Sequence, residues 1–263
     1  MTADVWTESL RVRGHEVTPR GIVSLPALCT YLPDVAGRHA ETLGVSMRSL
    51  RAQNKAWILS HLHLTIDRLP QWDETIAVET WPSGLDGLRA TREFVLSVAG
   101  TEVARATSAW LVFDTERRRP ARPPKAVRTL DPPDRPPVLP HVWDDVPRPQ
   151  QPDATQTFEA RYADLDLNRH VNSARLLEGA LAPLSDEHRD THVCTELRLQ
   201  FRAEVTLGDP VRATVQEDEA DGEQWIRHAL HRPDDDQVLI AAATRWTPHT
   251  EDASGGESSA PGQ

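Results

Sequence analysis

Carboxylate, carboxamide and imidazole fall on alternate residues at Asp166, Asn168 and His170, within the polar stretch Asp164-Leu-Asp166-Leu-Asn168-Arg-His170-Val-Asn172. An extended backbone here would aim all three side chains one way. The stretch precedes a helical pattern, and free N–H groups at a helix start stabilise developing negative charge. Such a set suits acyl transfer: an amide and backbone donors hold an oxyanion while imidazole or carboxylate moves protons. Asp and Asn are also common helix caps, so each residue taken singly also reads as a capping residue. Their concentration on one short turn favours chemistry. A second carboxylate, Glu204, interrupts the apolar alternation of Leu199-Gln-Phe201-Arg-Ala-Glu204-Val-Thr-Leu207-Gly-Asp209. The run from Leu197 to Asp209 is one residue longer than that from Leu62 to Asp73, which suggests a bulged strand that re-aims Glu204, although from these residues alone a solvated glutamate on a strand edge is the favoured reading.

The elements that must carry these groups occur twice. Leu62-His-Leu64-Thr-Ile66 and Leu197-Arg-Leu199-Gln-Phe201 both alternate as strands, and Asp73/Asp209, Ala106/Ala242 and Trp110/Trp246 share one offset of 136. In the first half Leu25, Leu28, Leu32, Val35, His39 and Leu43 recur at helical spacing after Ser24 as N-cap, with Pro26 in the first turn. Pro33 lies inside that pattern and predicts a kink or a break. In the second half a strand over 157–162 leads through the polar turn to a stripe of Leu176, Leu177, Ala180, Leu181 and Leu184. A long helix with an antiparallel sheet, twice over, is an α+β architecture. The first-half counterpart of the polar turn, Thr18-Pro-Arg-Gly-Ile-Val-Ser24, holds no Asp, Asn or His, so the second half carries the chemistry. Residues 120–152 contain about half of the 21 prolines and predict an extended surface connector without helix or central strand. Residues 249–263 hold no large apolar side chain and predict a disordered tail.

Composition narrows the classes. In 263 residues Asp and Glu number 40 against 29 Lys and Arg, a net charge of -11, which argues against nucleic acid as a general partner. No apolar run is long enough for a membrane helix, and the first residues lack the basic and apolar segments of a secretory signal. Two cysteines, Cys29 and Cys194, cannot build a disulfide framework, and a reduced, cytoplasmic setting follows.

The polar turn resembles the signature of plant and bacterial acyl-ACP thioesterases, in which Asp-x-Asn-x-His precedes a buried helix. Leu199-Gln-Phe-Arg-Ala-Glu204 resembles their second motif, and Ile66-Asp-Arg-Leu-Pro70-Gln-Trp72-Asp73, Ile76-Ala-Val-Glu-Thr80-Trp81 and Val103-Ala-Arg-Ala-Thr-Ser108-Ala-Trp110 resemble first-half segments of the same enzymes. The resemblance covers most of the chain. It implies two tandem hot-dog domains, each an antiparallel sheet wrapped around a long helix. Their limits are 7–119 for a non-catalytic domain with the substrate tunnel, 120–154 for the linker and 155–248 for the catalytic domain. The implied reaction is hydrolysis of fatty acyl-ACP to fatty acid and ACP with no metal or organic cofactor. Asp166, Asn168, His170 and Glu204 would be the catalytic set: Asn168 and helix N–H groups at the thioester oxygen, His170 for protons, Glu204 on water, and Asp166 orienting the site, with a covalent anhydride through a carboxylate as the alternative route. Many plant members have Cys after the glutamate; here it is Val205, which disfavours a cysteine nucleophile. An acyl-CoA thioesterase of the same fold, or a non-catalytic acyl-thioester binder, is the alternative.

The acyl carrier protein that the resemblance implies as partner is strongly acidic and calls for a local basic patch. Arg117, Arg118, Arg119, Arg122, Lys125 and Arg128 form one, with Arg161, Arg169 and Arg175 flanking the turn as candidates for the phosphopantetheine phosphate. A homodimer is possible, although tandem domains already supply the pairing that single hot-dog subunits obtain by dimerising. Trp72 and Trp81 are candidates for an acyl tunnel as well as for the core, and His61 and His63 share a strand face without a third metal ligand in view.

Overall fold

In the computed structural model the described residues are 3–220 and 222–249, so the tail expected over 249–263 lies almost wholly outside them. The first half comprises β1 (Trp6–Arg11), α1 (Leu25–Thr42), α2 (Met47–Arg51), β2 (Lys55–Ile66), β3 (Thr75–Asp86), β4 (Arg89–Val98) and β5 (Thr101–Asp114). A connector with β6 (Arg119–Ala121) and α3 (Lys125–Arg128) follows. The second half comprises β7 (Ala154–Glu159), α4 (Ser173–Leu181), α5 (Asp186–Thr191), β8 (His192–Phe201), β9 (Pro210–Ala220), β10 (Glu223–His231) and β11 (Val238–Pro248). All pairings are antiparallel, in the order β1-β3-β4-β5-β2-β8-β11-β10-β9-β7 with β6 beside β5. That order is the same five-strand pattern read outward in both directions from the β2–β8 seam.

The sheet's inner face is apolar because its strands alternate. Phe94, Leu96 and Val98 of β4 and Leu62 and Leu64 of β2 are buried against α1, while Leu197 and Leu199 of β8 join α4 in the same core. Helix α1 begins as expected, with Ser24 Oγ accepting from Ala27 N at 3.3 Å and a proline in the first turn. It then runs unbroken through Pro33. The missing N–H leaves the Cys29 carbonyl without its helical donor, yet Leu28, Leu32, Val35 and His39 on either side are buried against the sheet, and packing overrides the local cost. The connector departs from expectation in one place: Lys125–Arg128 forms a single helical turn directly after Pro124, with Val127 buried.

Beyond α3 the connector crosses the outer face, where it supplies hydrogen-bond partners to a buried carboxyl group. Glu93 is 0% exposed and accepts from Ser83 Oγ at 2.5 Å, Thr107 Oγ1 at 3.1 Å and the connector's Val138 N at 3.1 Å; the connector's His141 Nε2 lies 2.8 Å from it. Further along, Asp145 pairs with Arg202 at 2.7 Å.

Matching hydrogen bonds establish which residues of the halves correspond. Each indole of Trp110 and Trp246 donates to the hydroxyl two residues earlier, Ser108 Oγ at 2.8 Å and Thr244 Oγ1 at 2.7 Å, in keeping with the 136 offset there. Asp73 does not correspond to Asp209. Glu74 Oε2 accepts from Gln71 N at 2.7 Å, as Asp209 Oδ2 accepts from Thr206 N at 2.8 Å, so Asp209 matches Glu74. The residues before them, Asp73 at φ 72 and Gly208 at φ 81, share one left-handed corner. The stretch therefore has equal length in both halves, and the inserted residue expected near Glu204 does not exist. A bulge is present in each half instead: Asp67 N and Arg68 N converge on Val103 O, and Arg202 N and Ala203 N converge on Leu239 O.

Three histidines are held neutral by burial: His39 is pushed down to about 4, with Arg92 adding repulsion, His61 to about 4 with Arg89 adding repulsion, and His228 to about 3. Below the ordinary histidine value of about 6.5 the unfolded chain takes up protons that the native state refuses, at about 1.4 kcal/mol per proton per pH unit. Stability is thus full at neutral pH and lost on acidification. Urea midpoints measured between pH 7 and pH 4.5 should fall steadily, and His228→Gln should make that slope shallower.

Candidate active site

Strand β7 ends at Glu159, earlier than expected, and a 3-10 turn at Tyr162–Asp164 leads into the polar stretch. That stretch is a tight hairpin rather than an extended segment. Asp166 N donates to His170 O at 2.8 Å, Arg169 N donates to Asp166 O at 3.0 Å, and Arg169 takes φ 65. Alternation is therefore not what gathers the three groups. Asp166 gathers them, its Oδ1 accepting from Asn168 N at 2.8 Å and His170 N at 3.2 Å. The first-half turn has the same frame, with Thr18 N on Ile22 O at 2.8 Å and Gly21 at φ 73. Thr18, Arg20 and Ile22 stand there where Asp166, Asn168 and His170 stand here.

Glu204 reaches the site from the loop past β8. Val171 N donates to Val205 O at 2.8 Å, and His170 bridges Thr206, so a two-residue ladder ties the hairpin's exit to that loop. The neighbours of the ladder meet: His170 Nε2 lies 3.4 Å from Glu204 Oε2, with side chains 37% and 45% exposed. Both face solvent, where water and substrate can reach them. Asn172 caps α4 by accepting from Ala174 N at 2.8 Å, which commits that helix N–H group internally.

Two participants come from the first half and carry no motif. Arg51, the last residue of α2, donates from Nη2 to Asn168 Oδ1 at 2.9 Å. An apolar cavity of about 990 Å³ opens between α1 and the sheet, lined by Gly37, Val45, Trp57, Leu85 and Trp110 and by Val127, Leu130 and Pro132 of the connector. The second half contributes Leu167 to its lining, the 97%-exposed residue between Asp166 and Asn168.

The sequence matches the family model for the acyl-ACP thioesterase N-terminal domain over residues 3–130 and that for the C-terminal domain over residues 148–248. The chain belongs to the acyl-ACP thioesterase family. Among its relatives, a dodecanoyl-[acyl-carrier-protein] hydrolase of Cinnamomum camphora is 25% identical over 98% of this chain and 72% of the relative. A palmitoyl-acyl carrier protein thioesterase of Gossypium hirsutum is 26% identical over 93% of this chain and 64% of the relative. An acyl-ACP thioesterase structure from Bacteroides thetaiotaomicron superposes with a TM-score of 0.82 at 24% identity, covering 92% of this chain and 98% of that one. That likeness establishes the fold, a large antiparallel hot-dog sheet with few helices.

Within this thioesterase the expected basic residues divide into two groups. Arg117, Arg118, Arg119, Arg122 and Lys125 are exposed, and their loop is tied toward α2 by Asn54 Nδ2 donating to Glu116 Oε1 at 2.7 Å. Arg161 is engaged by Asp164 at 3.4 Å and Arg175 by Glu178 at 2.6 Å, which reduces their capacity for a phosphate; Arg169 has no ion-pair partner among the described residues. Trp72 is 64% exposed and Trp81 is buried, and neither lines the cavity; Trp57 and Trp110 do. His63 does have a carboxylate neighbour, Glu196 at 2.9 Å, which engages it on the outer face. Among the described residues no helix is long and apolar enough to cross a membrane. Val205 is 1% exposed and serves the ladder through its carbonyl. Cys194 is buried on β8, where burial pushes its thiol up, and its Sγ donates to Glu196 O at 3.3 Å. A serine can make the same hydrogen bond, so Cys194→Ser should retain wild-type turnover; loss of turnover in a folded variant would restore a cysteine mechanism.

Proposed function

We propose that the protein hydrolyses fatty acyl-ACP to free fatty acid and ACP at the centre formed by Asp166, Asn168, His170 and Glu204. The observation that carries this reading is the meeting of His170 and Glu204 at 3.4 Å on a turn whose Leu167 edges the apolar cavity of the other half. The acyl chain lies in that cavity, which places the thioester at the hairpin tip. Glu204 takes a proton from water as its oxygen attacks the carbonyl carbon, and the Asn168 N–H group holds the resulting oxyanion. The proton passes through His170 to the sulfur as the C–S bond breaks. Asp166 keeps the turn in shape. The exposed Arg117, Arg118, Arg119, Arg122 and Lys125, with Arg169, attract the acidic carrier, an attraction that salt weakens.

On this reading residues 7–119 are the chain-binding domain, 120–154 the connector and 155–248 the catalytic domain. The β2–β8 seam supplies the pairing that separate subunits would otherwise provide. Two buried free thiols suit a cytoplasmic setting.

Purified protein assayed on a panel of acyl-ACPs and the matching acyl-CoAs tests the reading. Acyl-ACP should be hydrolysed with the higher kcat/KM, and rising salt should narrow the difference; preference for acyl-CoA would overturn the carrier assignment. Glu204→Ala and His170→Ala should each lower turnover by roughly 10²–10⁴-fold with the fold intact, and near-normal rates in both would defeat the site. Chain selection offers an independent check. A Cβ built on Gly37 meets nothing within 4 Å and the residue lines the cavity, so the side chain of Gly37→Leu starts in open space there. That variant should shift preference toward shorter chains across the panel.

A further inference from the structure

The amide of Asn168 can serve an oxyanion only if its nitrogen faces the substrate, yet a carboxamide's two ends are nearly equal in size and readily exchanged. Arg51 removes the ambiguity. A guanidinium only donates, and its Nη2 stands 2.9 Å from the end taken as Oδ1, so the opposite end of the amide must be Nδ2. Nδ2 lies 3.4 Å from Asp166 Oδ2, a contact loose enough to yield to a stronger acceptor. The helix that carries Arg51 is well anchored: Ser46 caps α2 by accepting from Ser49 N at 3.3 Å, Leu50 is 2% exposed, and Trp57 Nε1 donates to Val45 O at 2.8 Å just before the helix. Among the described residues no carboxylate competes for the Arg51 guanidinium.

The pseudo-symmetric contact shows that the arrangement belongs to the fold and that its polarity is particular to this site. Arg20, at the position of Asn168, crosses to the end of α5 and donates to His192 O at 3.1 Å and Arg189 O at 3.5 Å. Each turn tip thus docks on the end of the other half's short helix. At the first-half turn the tip is the cation and the helix end supplies acceptors. At the second-half turn the helix end supplies the cation and the tip is an amide.

We propose that Arg51 is a positioning residue for the hydrolysis: delivered from the first half, it holds the Asn168 oxygen so that the amide N–H group is presented to the thioester oxygen. The inference rests on the catalytic role given to Asn168 above. A hydrogen bond to a cation also polarises the amide and strengthens its remaining donor.

The test is kinetic and spectroscopic on the full chain. Arg51→Ala should lower kcat on acyl-ACP by about ten- to a hundredfold, in the range of a weakened oxyanion donor, with KM little changed and Arg51→Lys recovering part of the loss. In an Asn168→Ala background, Arg51→Ala should cost nothing further, because the two act through one group. Side-chain ¹⁵N relaxation should show the Asn168 amide ordered in the wild type and mobile in Arg51→Ala, a readout independent of turnover. A raised KM with unchanged kcat, losses that multiply in the double variant, or an amide equally ordered without Arg51 would each overturn the proposal. A wild type inactive on every acyl-ACP would overturn the assigned reaction, while the relaxation measurement would still decide whether Arg51 orders Asn168.

Discussion

Antiparallel pairing of β2 with β8 is the constraint from which the rest follows. Leu62 opposes Leu199 and Leu64 opposes Leu197, all four buried, so the two halves share one sheet and one core with α1 and α4 side by side on it. Closing the seam this way sets each half's turn against the short helix of the other. Shifting the register by one residue would turn these leucines outward, so the seam's position is firmly held. The cross-half contacts of Asn168 with Arg51 and of Arg20 with His192 are consequences of that register.

Within this near-symmetric frame the halves have specialised in opposite directions. Helix α1 runs for 18 residues and leaves an apolar cavity beside it, whereas α4 stops after 9. In the second half Phe158 packs onto α4 so closely that a Cβ at Gly179 would meet it at 2.5 Å. That glycine is required by close approach, and the ring occupies space on the face of α4. The proposed reacting groups, Asp166, Asn168, His170 and Glu204, lie on the half whose helix is covered, and the apolar cavity lies on the half whose turn lacks them. Leu167 joins the two because the hairpin that orients Asp166 and Asn168 also projects the residue between them outward.

Much of this was legible in the sequence, and the failures have physical causes. The repeat, the two helical stripes and the antiparallel sheet are readable because each rests on local periodicity, whereas the grouping of His170 with Glu204, far apart in the chain, follows only from the resemblance of their two motifs to the acyl-ACP thioesterases. Alternation of Asp166, Asn168 and His170 suggests an extended turn but is equally produced by a hairpin in which Asp166 bonds to the backbone of the other two. The additional residue near Glu204 arose from aligning Asp73 with Asp209, since aspartate matched aspartate although the structural partner was Glu74. Arg51 and the cavity left no local signal. An exposed arginine in a five-residue helix resembles any other, and a void is formed by residues far apart in the chain.

The connector shows how the same frame is covered from outside. From β5 to β7 the sheet order requires crossing six strand spacings, about 29 Å at roughly 4.8 Å each. Residues 129–153, extended at about 3.1 Å each, would reach roughly 78 Å, far beyond what the span needs. The surplus length is spent in covering polar positions of the outer face. Glu93 is the clearest of these, a wholly buried carboxylate whose hydrogen bonds include the Val138 N–H group and a contact with His141. Without the connector that carboxyl group would keep only the Ser83 and Thr107 hydroxyls as partners, and a buried polar group short of hydrogen bonds is costly. Proline suits the task because a chain that donates few hydrogen bonds of its own can lie across strands without adding to the ladder. The first residues of the same segment, at Val127, Leu130 and Pro132, also wall the cavity, so the strap that protects the outer face helps to enclose the space beside α1.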